Sequence, residues 1–182
     1  SSGDNFNLEI IDRAVALAKT ATPRLRPARI DGFAQKLYVA FLHPTQAYQL
    51  RQSALGSTLT WAEIQKALMT SGSSDSPVIK GGRALGIYNG TLLMENPNVT
   101  YGAATTTPNT NVRRAVFCGA QAGVLAFGKG YGVDSADWVE EMDDYQRYFG
   151  VRASQIFGMK KTKFNSTDFG TIVMSSWAPD IS

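Results

Sequence analysis

Asn89-Gly90 constrains the fold of this chain more than any other pair of residues. It joins two β-forming runs, Ala84–Tyr88 and Thr91–Glu95, and both central residues of a tight type I′ turn need positive φ, which Asn and Gly tolerate best. A hairpin is therefore predicted over residues 84–95. Helical signals precede it. Asn7 is placed to cap a helix over Leu8–Lys19, with Phe6 and Ile11 at the staple positions and Leu8, Ile11, Val15 and Ala18 on one face. Pro23 stops that helix, Asp31-Gly32 marks a turn, and Lys36–Leu42 reads as a buried strand ended by His43-Pro44. A second helix is predicted over about Thr45–Ser53. A third starts at the capping box Thr60-Trp61-Ala62-Glu63, with Leu59 and Ile64 as staple residues, and ends in the Ser/Gly cluster Ser71–Ser76.

Beyond the hairpin, Asn96–Asn111 is rich in Asn, Thr and Pro and is predicted to be a surface loop. Val112–Phe127, apolar and alanine-rich, is predicted to be a helix, with Gly119 and Gly123 allowing close packing. A further helix is expected over Ser135–Phe149, where Trp138, Met142, Tyr145 and Phe149 recur at near-helical spacing before Gly150; the same residues also suit a strand. The C-terminal part reads as β: Ser154–Phe164 and Phe169–Trp177 around a turn at Asn165–Asp168. Helices, hairpins and long connections without an internal repeat make an α+β chain.

The chemistry of the side chains excludes more than it suggests. The single cysteine, Cys118, rules out an internal disulfide, and the single histidine, His43, rules out a site built on two histidines. At a strand end before Pro44, His43 is expected to be hydrogen-bonded locally. No Gly-x-Ser-x-Gly nucleophile elbow occurs. Gly123–Gly130 matches a phosphate-binding loop except at its last position, where Gly130 replaces the hydroxyl residue that would hold magnesium, and its interior is bulky and apolar. A nucleotide-dependent enzyme using this segment is the rival reading from another class. The longest apolar stretch, Ala115–Phe127, falls short of the roughly 20 residues of a membrane span. No cofactor or metal site is expected.

With 18 basic and 15 acidic residues the chain is +3, too little to mark a nucleic-acid binder and enough to leave a nonspecific one open. The charges cluster. Asp134, Asp137, Glu140, Glu141, Asp143 and Asp144 lack the spacing of a calcium loop and read as a solvated face or one meeting a basic partner. Basic groups collect at Arg24, Arg26 and Arg29, at Arg113 and Arg114, and at Lys160, Lys161 and Lys163. Acidic and basic patches meeting across subunits are one expectation for Asp137, Glu140, Glu141, Asp144 and these cations; lysines on DNA phosphates are another.

Several phrases, in order, resemble the major capsid protein family of podovirus-type tailed bacteriophages. They include Arg26-Pro27 with Arg29-Ile30-Asp31-Gly32, then Tyr38-Val39-Ala40-Phe41-Leu42-His43-Pro44-Thr45-Gln46, and Gly86-Ile87-Tyr88-Asn89-Gly90. Arg113–Ala122, Gly158–Asn165 and Asp168–Val173 continue the series, which covers most of residues 5–178. The chain departs at Gln146-Arg147, where the family pattern has Gly-Asn. The resemblance implies the tailed-phage capsid fold, with peripheral and axial domains, shared by herpesvirus shells and encapsulin compartments. Residues 1–182 would be one capsid-fold unit, the axial domain plus part of the peripheral one. Family members are longer at the N-terminus, so the N-terminal arm and extended loop are expected to be missing, and the chain alone to be a monomer or small oligomer. The implied function is a structural subunit, not an enzyme. Its partners would be copies of itself in pentamers and hexamers, packaged double-stranded DNA, and portal, scaffold or decoration proteins, with no membrane. Its place would be the virion capsid, assembled in the bacterial cytoplasm. An encapsulin-like shell around protein cargo is the alternative within the fold.

Overall fold

The computed structural model describes residues 5–55, 61–71, 84–103, 108–132 and 136–180. Helix α1, Leu8–Thr20, starts as its sequence dictates. Asn7 is extended, its side-chain oxygen accepts the Ile10 N–H at 3.1 Å, and the staple residues Phe6 and Ile11 are fully buried. Helix α2, Pro44–Leu55, places proline at its first position, where no N–H is needed. Helix α3 spans Trp61–Ser71 and buries Ile64 and Leu68; the cap residue Thr60 and the Ser/Gly stretch after Ser71 lie outside the described residues.

The body is built on a seven-stranded sheet. Its main path runs β13 (Thr171–Trp177), β6 (Pro108–Cys118), β2 (Lys36–Leu42), β4 (Thr91–Glu95), β3 (Ala84–Tyr88); β1 (Ala28–Arg29) joins β2 and β5 (Tyr101–Ala103) joins β6. Among the described strands only β2 and β4 pair in parallel. The β3–β4 hairpin turns at Asn89 (φ 44°) and Gly90 (φ 69°), both left-handed as a type I′ turn requires. The three helices and one face of the sheet enclose the larger core, which includes Ile11, Val15, Leu50, Ile64, Leu93 and Phe117. Tyr38 and Phe117 stack there at 4.9 Å between ring centres. Gly86 permits the close approach of α3 to β3, since a Cβ there would lie 2.4 Å from Ile64.

Three expectations are overturned. Val112–Phe127 is not a helix: it is the end of β6, a turn, and strand β7 (Gly123–Phe127). Burial alternates along β6, with Arg113, Ala115 and Phe117 inside and Val112, Arg114, Val116 and Cys118 half-buried. Paired on one side with β2 and on the other with β13, this segment gains ladder hydrogen bonds that outweigh the helix preference of its alanines. The helix expected over Ser135–Phe149 is not found either: Ser135 lies outside the described residues, and the rest becomes β8 (Asp137–Asp143) and a turn into β9 (Tyr148–Ser154). Gly150 is no cap: it lies in β9 opposite Glu141. Finally, Asn96–Asn111 is not all loop, because β5 and the start of β6 pair within it.

Candidate assembly surfaces

Between Cys118 and Thr171, which are paired neighbours on adjacent strands, the chain leaves the sheet and returns. The excursion is a β-arm. Its root is fixed by the Gly119 N–H on the Gly170 carbonyl at 2.8 Å and the Ala120 N–H on the Arg26 carbonyl at 2.7 Å. A Cβ on Gly119 would stand 2.7 Å from that same Arg26 oxygen, so glycine is needed at the exit. The stem pairs β7 with β10 (Phe157–Lys161), and the tip pairs β8 with β9. A small side hairpin, β11 (Lys163–Phe164) with β12 (Thr167–Asp168), turns through Asn165 and Ser166, both at positive φ. No described residue between Gly119 and Gly170 belongs to either hydrophobic core of the body.

The register sorts the arm into faces. In the tip, Trp138, Glu140 and Met142 share a side with Ala153, Val151 and Phe149, while Asp137, Val139, Glu141 and Asp143 share the other with Ser154, Arg152, Gly150 and Tyr148. In the stem, Leu125 and Phe127 lie beside Met159 and Phe157. These apolar side chains are in solvent: Trp138 is 58%, Phe149 60%, Phe157 63% and Met159 80% exposed.

The structure divides the charges picked out from sequence. Arg24, Arg26 and Arg29 are exposed, Arg26 at the arm's root, and Arg114 is half-buried in β6. Arg113 points inward. It is 5% exposed, its guanidinium meets Asp180 at 2.6 Å and lies 3.6 Å from the centre of the Tyr101 ring, so its charge is used inside the chain. The hydrogen bond from Arg113 holds the Asp180 carboxyl below the usual carboxylate range. Lys160, Lys161 and Lys163 are all on the arm, with Lys161 on Asp168 at 2.8 Å. Asp137, Glu140, Glu141 and Asp144 sit at the tip; Asp137 meets Arg152 at 3.1 Å, Asp144 meets Arg147 at 3.7 Å, and Glu140 accepts from the Trp138 ring N–H at 2.6 Å.

A device that sequence reading undervalued lies at the start of α2. His43 takes the cap position: its Nδ1 accepts the Thr45 N–H at 3.3 Å, while its own N–H donates to Gln46 Oε1 at 3.1 Å. This is a capping box with histidine in place of the usual hydroxyl, signalled by the His-Pro-x-Gln spacing. Fully buried Gln46 then donates its amide to the Arg113 carbonyl and the Ser176 hydroxyl, joining α2 to β6 and β13. Burial, with the nearby Arg113 charge, lowers the His43 pKa.

Gly123–Gly130, the near match to a phosphate-binding loop, is a strand and a turn in the arm, and among the described residues no helix follows it. Among the described residues no group of three His, Cys, Asp or Glu side chains converges as a metal site, and no helix is long and apolar enough to cross a membrane.

The family model described as phage capsid protein matches residues 1–180. Among curated proteins no match was found. Among solved structures, the capsid of Ralstonia phage GP4 aligns with 100% of this chain and 50% of its own at 32% identity and a TM-score of 0.72. The acid-stable capsid of Helicobacter pylori bacteriophage KHP30 aligns with 96% of this chain and 60% of its own at 15% identity and a TM-score of 0.48. The chain thus spans half the length of the Ralstonia phage capsid chain it matches. An α+β body whose sheet carries a long projecting arm, together with a family match over nearly every residue, fixes the assignment: the chain belongs to the phage capsid protein family.

Proposed function

We propose that the chain is a major coat subunit that self-associates into pentamers and hexamers and closes into an icosahedral shell around double-stranded DNA, built in the bacterial cytoplasm. The observation that carries this reading is the arm. A ribbon that contributes nothing to its own core and holds its apolar side chains in water is made to be covered by a neighbour. A closed shell repeats each such contact many times, so individually modest interfaces give a stable particle.

The exposed and half-buried charges set the register of these contacts in this reading. Arg24, Arg26, Arg29 and Arg114 on the body, and Lys160, Lys161 and Lys163 on the stem, answer Asp137, Glu140, Glu141 and Asp144 at the tip. Reversing Lys160, Lys161 and Lys163 together to Glu is expected to block assembly and leave the fold intact; unchanged assembly and unchanged DNA retention would remove the role of these lysines. The main test is electron microscopy of particles purified from cells making the gene product that carries this sequence. Five- and six-fold capsomers around nuclease-protected DNA are expected. Shells filled with protein and free of DNA would assign the chain to a cargo compartment instead.

A further inference from the structure

The arm has a second property that bears on what covers it, given the reading of the chain as a shell subunit. Of the eighteen exposed large hydrophobic residues among those described, thirteen lie from Val124 to Phe164; the body contributes only Leu17, Tyr48, Met69, Tyr101 and Val173. The arm's apolar rows therefore find their best match in another arm. Charge reverses along its length. Residues 137–154 hold five carboxylates against Arg147 and Arg152, three negative in net; the stem segments 123–132 and 155–168 hold Lys129, Lys160, Lys161 and Lys163 against Asp168, three positive in net. The arm is thus complementary to itself when turned end for end.

We propose that two copies of this chain pair through their arms in antiparallel fashion, the apolar row of each tip lying on the apolar row of the other's stem. The alternation supports a defined register. Phe149, Val151 and Ala153 in β9 are followed, across Gln155-Ile156 between the two strands, by Phe157 and Met159 at the same two-residue spacing in β10. A two-fold axis near Ala153 exchanges Phe149 and Phe157, each four residues from it, about 13 Å at the rise of extended chain. It also carries the Asp143-Asp144 turn toward Lys160 and Lys161 of the second copy. Trp138, paired across the ribbon with Ala153, comes to lie on the axis against its own counterpart. Its ring N–H is already satisfied by Glu140, so the ring can be covered without losing a hydrogen bond. The contact is isologous, the same patch serving both copies, and it gives each two-stranded ribbon the second layer it needs to be stable in water.

The test is site-directed cross-linking of the purified protein in a Cys118→Ser background with a short bis-maleimide. Trp138→Cys alone should give covalent dimers, as should Met142→Cys combined with Phe157→Cys. Met142→Cys alone and Phe157→Cys alone should give no covalent dimer. Dimers from Met142→Cys alone would put tip on tip, and linkage of Met142→Cys to Leu17→Cys would put the tip on the body; either overturns the proposal. As a second measurement, Phe149→Asp with Phe157→Asp should weaken self-association by at least about ten-fold in sedimentation; unchanged association counts against the pairing. Microscopy of the same samples separates this from the shell reading. Closed shells without the expected links sink the arm pairing alone, whereas linked dimers of the whole gene product that never close support the pairing and sink the shell.

Discussion

His43 shows how one residue can couple a helix start to pH. Its Nδ1 accepts the Thr45 N–H only while that nitrogen is unprotonated. Burial, then the Arg113 charge, lowers its folded-state pKa below the unfolded value of about 6.5. The stabilisation is therefore complete above that value and is lost as pH falls through the lower folded one. Thermal melts should show a declining midpoint on acidification below about pH 6.5, and His43→Asn, which caps without titrating, should flatten that part of the curve. An unaltered slope in the variant would remove His43 as its cause. The Asp180 carboxylate, held low by Arg113, works in a separate and more acidic window: its contribution is present above the usual aspartate value and disappears as pH drops through the depressed one. Beside them, Gln46 is a buried amide whose hydrogen bonds reach three segments. Gln46→Leu keeps the volume and strands the His43 N–H and the Ser176 hydroxyl. Its expected cost in denaturant unfolding is about 3 kcal/mol.

Among the elements, those with a local stop signal were legible in sequence. Asn7, Asn89-Gly90 and His43-Pro44 delimit α1, the β3–β4 hairpin and β2 through chemistry that acts within a few residues, and Lys36–Leu42, Ala84–Tyr88 and Thr91–Glu95 end where the sequence places them. The misread segments are those whose form is decided at a distance. Ala115 and Phe117 are in a strand because β2 and β13 flank them, and nothing within Arg113–Ala122 announces those partners. In the tip, Trp138, Met142, Tyr145 and Phe149 repeat at a spacing that either period accommodates, and the turn itself is disguised: Asp144, Tyr145 and Gln146 all take positive φ where the related pattern would put glycine at position 146. The candidate charges were identified as types and not as locations, since sequence cannot show Arg113 turning inward or the lysines sharing one arm with the carboxylates. The arm's independence from the core makes a direct prediction. Replacing residues 120–169 with a short glycine-rich turn between β6 and β13 should leave the body's melting temperature within about 4 °C, equivalent to roughly 1 kcal/mol, while abolishing assembly. A body that no longer unfolds cooperatively would mean the arm is part of the core after all.

At the scale of the whole molecule, the chain combines two layers of very different stability. The sheet and its helices enclose fully buried side chains such as Phe6, Leu50, Leu93 and Phe117, so their amides should exchange with solvent only on global unfolding. The tip ribbon, β8 with β9, is exposed along nearly its whole length and has no second layer, so its amides are held by a hydrogen-bond ladder that opens locally at little cost. Hydrogen exchange on the unassembled chain should therefore divide in two, with β2, β4 and β6 protected to the global limit and Asp137–Ser154 exchanging orders of magnitude faster. Assembly should change only the second class. As the arm's apolar row becomes covered, protection in Asp137–Ser154 and in Phe157–Lys161 should rise together, because tip and stem are buried by the same contact. Protection that stayed low in the arm after assembly would show that the ribbon is not an interface element. Protection already high in the free chain would show that the arm carries its own stability, and that the exposed Trp138, Phe149 and Phe157 serve something other than subunit contact.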